Sequence, residues 1–192
     1  MIVGDPSSFA IESSITSAYD RLSFRALGYF VIHVGGHRYG VCKPDASMLA
    51  NSFEEVGSRI AGRGKHTAPF ASEDAGQIAE GFRNAIFADE QATSYFGLPV
   101  HEFSEFFFER SSAIQWAPDG DEAFDDGSYV LQFDVQDRVR LIAFRSDESY
   151  LHVPSTLRDV WLPADEFYDV LQRWHGAFER EWNAMPKTSE PM

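Results

Sequence analysis

Residues 28–34, Gly-Tyr-Phe-Val-Ile-His-Val, are a nearly continuous apolar, β-branched and aromatic run that stops at Gly35-Gly36. Such a run reads as a well-buried strand, and two glycines supply the positive φ angles of a two-residue hairpin turn. His37 to Cys42 then returns with Tyr39 and Val41 on one face, while the earlier segment Phe9-Ala10-Ile11-Glu12 alternates as a further strand would. The N-terminal part of the chain is therefore committed to a sheet built from local hairpins.

After Pro44-Asp45 the period changes. Leu49, Phe53, Val56 and Ile60 fall on one helical face, and the helix should stop near Gly62 and Gly64. Ala75, Ile78, Phe82 and Ile86 predict a second helix over roughly 73–88. Aromatic residues then crowd together at Phe103, Phe106, Phe107 and Phe108, followed by β-like alternation. Tyr129, Leu131, Phe133 and Val135 share one strand face and Gln132 and Asp134 point away; Gln136-Asp137 turns the chain into Val139 to Phe144. A short strand over 157–162 leads through Pro163 into a last helix with the stripe Phe167, Val170, Leu171, Trp174, Phe178 and Trp182.

With 192 residues, one domain is expected over 1–185, followed by a frayed tail at 186–192. Strands and helices are segregated rather than strictly alternating. This predicts an α+β fold, a largely antiparallel sheet of hairpins with about three amphipathic helices packed on it.

Charge narrows the function classes. The chain has 30 acidic and 16 basic residues and a formal charge of -14. Residues 1–96 hold 11 acidic and 8 basic residues and residues 97–192 hold 19 and 8, so the halves carry -3 and -11. Such a field repels nucleic acid and anionic lipid and favours either a basic protein partner or simply solubility. No apolar stretch is long enough to cross a bilayer, the N-terminus has no secretory pattern, and Cys42 is the only cysteine. These features place the chain in a reducing cytoplasm, without a disulfide framework.

Most motifs for chemistry fail on spacing. Gly62-Arg63-Gly64-Lys65-His66-Thr67 has Arg59 and His66 where a phosphate loop needs Gly and Ser or Thr, and reads as a flexible basic helix exit. His33, His37, His66, His101, His152 and His175 contain no helical i, i+4 pair. His33 and His37 are able to approach across the hairpin, yet two imidazoles fall short of a metal site. Cys42 reads as a small buried hydrophobe at a strand end. No catalytic, cofactor-binding or metal residue is assigned.

One segment carries a sharper expectation. Asp119, Asp121, Glu122, Asp125 and Asp126 put five carboxylates into nine residues. An EF-hand register starting at Asp119 would place Ala123 and Phe124 at loop positions that need an oxygen ligand and glycine, so calcium is rejected. The segment is either a solvated loop or a docking loop whose carboxylates meet Lys and Arg of a partner around Phe124. Trp116 and Trp161, each near a strand edge, are expected to be partly exposed and join the binding candidates.

The motif Gly4-Asp5-Pro6-x-x-Phe9-Ala10-Ile11-Glu12, followed by Gly28-Tyr29-Phe30-x-Ile32-x-Val34-x-Gly36 and Gly40, resembles the immunity protein 42 family. The resemblance covers residues 1 to about 60. It implies an α+β cytoplasmic protein of bacterial polymorphic and contact-dependent toxin systems, one that binds and neutralises a cognate toxin C-terminal domain. The charge of -14 makes a basic partner the expectation, and an acidic inhibitor suits a nuclease. Two other classes stay open: a small enzyme with a carboxylate or histidine site, and a non-catalytic adaptor.

Overall fold

The structure is a computed structural model and describes residues 1–87, 92–108, 112–116, 122–147 and 152–188. Strands β1 (Ile2–Asp5), β2 (Phe9–Tyr19), β3 (Ala26–Val34) and β4 (His37–Tyr39) form an antiparallel sheet in that order, and the short β5 (Ser47–Met48) also pairs with β3. Gly35 and Gly36 both have positive φ, 55° and 78°, as the hairpin requires. Gly28 answers a different demand. It lies opposite Ile15 beside a bulge in β2, and a Cβ there would sit 1.9 Å from the Ser14 carbonyl oxygen.

The chain then forms α1 (Leu49–Ala61), α2 (Ala75–Phe87), the two-stranded β6 (Ser94–Tyr95) and β7 (Leu98–Pro99), and α3 (Val100–Phe108). Strands β8 (Ser128–Val135), β9 (Arg138–Arg145) and β10 (Arg158–Pro163) make a second antiparallel sheet with β9 in the middle. Helix α4 (Ala164–Ala184) follows Pro163 directly, and β11 (Lys187–Thr188) adds to β2 in parallel. The expected α+β architecture is what the chain adopts, with four α-helices among the described residues.

The second sheet is a wall between two cores. Val130, Val139, Leu141 and Ala143 face one core with the inner side of the first sheet, α1 and α4. Leu131, Phe133, Ile142 and Phe144 face the other, with α2, α3 and Phe70. Period-two alternation sends neighbouring residues into opposite cores, and the register pairs like with like: Leu131 with Ile142, Val130 with Ala143.

Two expectations need correction, and the aromatic cluster, to which the sequence pattern assigned no element, gains one. Gln132 does not point to water: it is 0% exposed, because the face opposite Leu131 and Phe133 is covered by α1 and α4. The aromatic cluster at 103–108 is helical. Its buried residues, Phe103 and Phe107, are four apart, and the intervening aromatics hide that period in the sequence. The C-terminal segment is not wholly frayed, since Lys187 and Thr188 pair with Ala18 and Tyr19. Among the described residues no helix is long and apolar enough to cross a membrane.

A shared wall makes one mechanical unit. Leu141→Ala and Ile142→Ala, which empty opposite cores, should each lower stability by about 2–5 kcal/mol within one cooperative denaturant transition. Two separated transitions in either variant would show that the cores unfold independently.

Candidate functional site

The acidic segment is fastened to both sheets. Glu122–Phe124 forms a 3-10 turn whose middle residue, Ala123, is fully buried and accepts a hydrogen bond through its carbonyl from the Val41 amide at 2.7 Å. The Phe124 ring is half-buried and packs edge-on against Phe30, with 6.4 Å between centroids. Asp126 accepts from the Ser128 amide at 3.1 Å and pairs with Arg145 at 3.0 Å. The Ser128 hydroxyl in turn accepts from the Gly40 amide. Glu122 and Asp125 are left exposed on this rigid base.

The predicted docking residues are thus divided by the fold. Glu122 and Asp125 are presented to solvent, Asp126 is held by Arg145, and Phe124 serves the core more than the surface. Asp119 and Asp121 lie outside the described residues. Trp116 is corrected outright. It is 2% exposed, bridged into β8 through Gln115 and Leu131, and roofed by the Arg59 guanidinium 4.4 Å from its ring, so it has no face for a partner. Trp161 is half-exposed on the edge strand β10, with Arg138 and Arg140 each about 5.2 Å from its ring.

Beneath this surface lies a polar network that the hydrophobic pattern does not announce. Arg59 is 1% exposed and donates to Glu55 at 2.7 Å, to Gln132 Oε1 at 3.0 Å and to the Gln115 carbonyl at 2.6 Å. Gln132 donates onward to the Tyr168 hydroxyl at 2.9 Å, and Tyr168 donates to Asp134 at 2.9 Å. Burial pushes the Arg59 pKa down, opposed by the adjacent Glu55 carboxylate. Burial raises Tyr168, and the neighbouring Asp134 carboxylate adds to the shift. A sequence signal for Arg59 existed: it lies three residues after Val56, on the buried face of α1, whereas Ile60 is only half-buried.

The failed phosphate loop belongs to the same network. Gly64 and His66 donate their amides to Asp134 Oδ2 at 2.8 and 3.2 Å, so a carboxylate of the chain itself occupies the place an anion would take. The expected flexible exit is pinned. His66 is 4% exposed, its Nδ1 lies 3.1 Å from the Ala113 carbonyl, and its Nε2 has no hydrogen-bond partner among the described residues. Burial, and then the charge of Arg59, lower its pKa.

The remaining titratable groups also go to separate partners. His33 and His37 do not meet, because β3 and β4 pair His33 with Arg38 and Val34 with His37. His33 contacts Glu12 at 2.8 Å, and Tyr29 donates to the same carboxylate at 3.1 Å; burial tends to raise the Glu12 pKa, but these hydrogen bonds hold it below its ordinary value. Burial, then Glu12, pushes Tyr29 up to about 12. Cys42 is half-buried beside Tyr29 rather than enclosed. His175 stacks on Phe53, with centroids 3.9 Å apart, and its pKa is lowered by burial. Among the described residues no three His, Cys, Asp or Glu side chains converge as a metal site would require.

These features define a small acidic α+β protein whose interior charges are held by one another and whose exposed charge is carried on a rigid surface. The chain matches the family model of Immunity protein 42 over residues 1–177 and belongs to that family. Among solved structures it is similar to CdiI from Burkholderia dolosa AUO158, with a TM-score of 0.55 and 16% identity over 92% of this chain and 99% of that one, a likeness of fold. No curated protein matches it.

Two tests follow from the network. Arg59→Met strands the groups around it without their donor and should cost about 3–5 kcal/mol in chemical denaturation. His66 and His175 both have folded pKa values below 6.5. The unfolded chain therefore takes up protons that the folded chain refuses, so stability held above that pH is lost as pH falls through it. A His175→Phe variant should lose less stability than the parent between about pH 7 and pH 5.

Proposed function

We propose that this protein acts in the cytoplasm as an immunity protein, binding a cognate toxin domain one to one and blocking it without catalysis. Membership of the Immunity protein 42 family is the observation that carries this reading. The partner is taken to be basic, and a nuclease fits best, because enzymes that work on nucleic acid present cationic surfaces to phosphate. A chain of charge -14 gains encounter rate from steering toward such a surface.

The docking surface is centred on the anchored acidic segment, with Glu122 and Asp125 as its exposed carboxylates and Asp119 and Asp121 as neighbours in sequence. An interface of ordinary size would cover roughly 800 Å² of this chain. Because the segment is already fastened by Ala123, Asp126 and Phe124, little ordering entropy is lost when a partner meets it.

The experiment is co-expression with the C-terminal domain of the large protein encoded beside this gene, scoring survival and co-purification. Rescue with a 1:1 complex is expected. Rescue without a complex, or turnover by the isolated chain, would favour an enzyme, and a stable complex with a harmless domain would favour an adaptor. Glu122→Lys with Asp125→Lys should slow association by roughly three- to tenfold at low salt and flatten its salt dependence. Unchanged association kinetics would remove this segment from the interface.

A further inference from the structure

A second surface feature combines an apolar floor with a charged rim. A groove of about 320 Å³ separates the β1–β2 turn from the first turns of α4. That volume lies at the low end of the roughly 300–1,000 Å³ found for small-molecule sites. Its floor is made by Phe9, Leu162, Phe167 and Val170, all members of the main core, with the Phe9 and Phe167 rings 4.6 Å apart. Its rim carries Asp5, Glu166 and Asp169.

The rim charges are unbalanced. Arg173 also lines the groove, but it is paired with Asp169 at 2.6 Å, which leaves Asp5 and Glu166 as the lining carboxylates with no cation among the groove's residues. Asp5 is fixed in place by the Ser7 amide and hydroxyl, which donate to its Oδ1 at 2.9 and 2.8 Å. The turn bearing it is tied to the β3–β4 hairpin by hydrogen bonds from Gly35 to Ser8 and from Gly36 to Pro6, at 2.8 and 3.0 Å. An apolar floor under a carboxylate rim, both on rigid elements, suits a side chain with a hydrocarbon stem and a cationic end.

We propose that this groove receives an arginine side chain projecting from a basic protein partner, its stem on Leu162 and Val170 and its guanidinium between Asp5 and Glu166. Arginine fits better than lysine because its planar fork satisfies more than one carboxylate at once. The identity of the donor as a toxin rests on the function proposed above; the recognition of the side chain does not. The Gly4-Asp5-Pro6-x-x-Phe9 segment thereby acquires a second role, shaping a contact as well as launching β2.

Two measurements test this, the first of them separately from the toxin assignment. First, the isotope-labelled full chain is titrated with N-acetyl-arginine amide and with its neutral isostere N-acetyl-citrulline amide. Amide shifts confined to Gly4, Ser8, Glu166 and Val170, seen with arginine and lost in Glu166→Gln, are expected. Shifts spread over the acidic surface, or equal with citrulline, would overturn the groove.

Second, binding kinetics are measured against the C-terminal domain encoded beside the gene. Glu166→Lys should raise Kd by about tenfold or more, chiefly through faster dissociation, while the same charge change at the exposed Glu54 of α1 alters mainly the association rate. Equal effects at both positions would overturn the groove as a contact. A toxin domain that fails to bind the parent chain, beside a positive arginine titration, would defeat the proposed toxin partner and leave the side-chain site standing.

Discussion

The packing of α1 and α4 on the second sheet turns on the buried cation Arg59. Arg59 reaches from α1 to Gln132 on β8 and to the Gln115 carbonyl, and Gln132 passes the connection to Tyr168 on α4. A guanidinium taken out of water is tolerated only if its donors are met, and here a carboxylate, an amide and a backbone carbonyl meet them under the face of Trp116. The arrangement is directional where hydrophobic contact is not. It fixes how α1 and α4 sit on the wall strand, and through α4 it fixes one side of the groove.

The same logic separates interior from surface. Asp134, Glu55, Asp126 and Asp159 are consumed by internal partners, Asp159 through a two-pronged contact with Arg140 at 2.8–2.9 Å. Glu122, Asp125 and Glu166 keep their charge in solvent. A net charge of -14 is therefore not a uniform coat; part is structural and part is presented on hydrogen-bonded elements of the fold. A binding protein gains from that division, since fixed charges steer a partner without being reordered on contact.

Local pattern made much of the fold legible. The glycine hairpin, the stripes of α1, α2 and α4, and the turn at Gln136-Asp137 follow from period and turn chemistry, and the structure has them at those places. What escaped involves residues whose environment is set from a distance. Gln132 alternates as a solvent residue would, and only the arrival of α1 and α4 buries it. Trp116 has no local periodicity, so its burial under Arg59 could not be read in advance. The groove pairs residues some 160 positions apart in sequence, which no local motif encodes. The family resemblance reached what spacing could not, because it carries the class without needing the contacts.

The strand β2 has consequences for the order of events during synthesis. It is flanked by β1 along one part and by β11 along another, and its Ser13 hydroxyl accepts from the Trp174 indole far along the chain. The early hairpin can close on its own, but its inner face stays uncovered until α4 has left the ribosome. Such separation in sequence between partners slows folding and leaves an apolar sheet face open to other chains in the meantime. The docking of α4 is therefore the step that closes the main core and ends the exposure of the hairpin's apolar face.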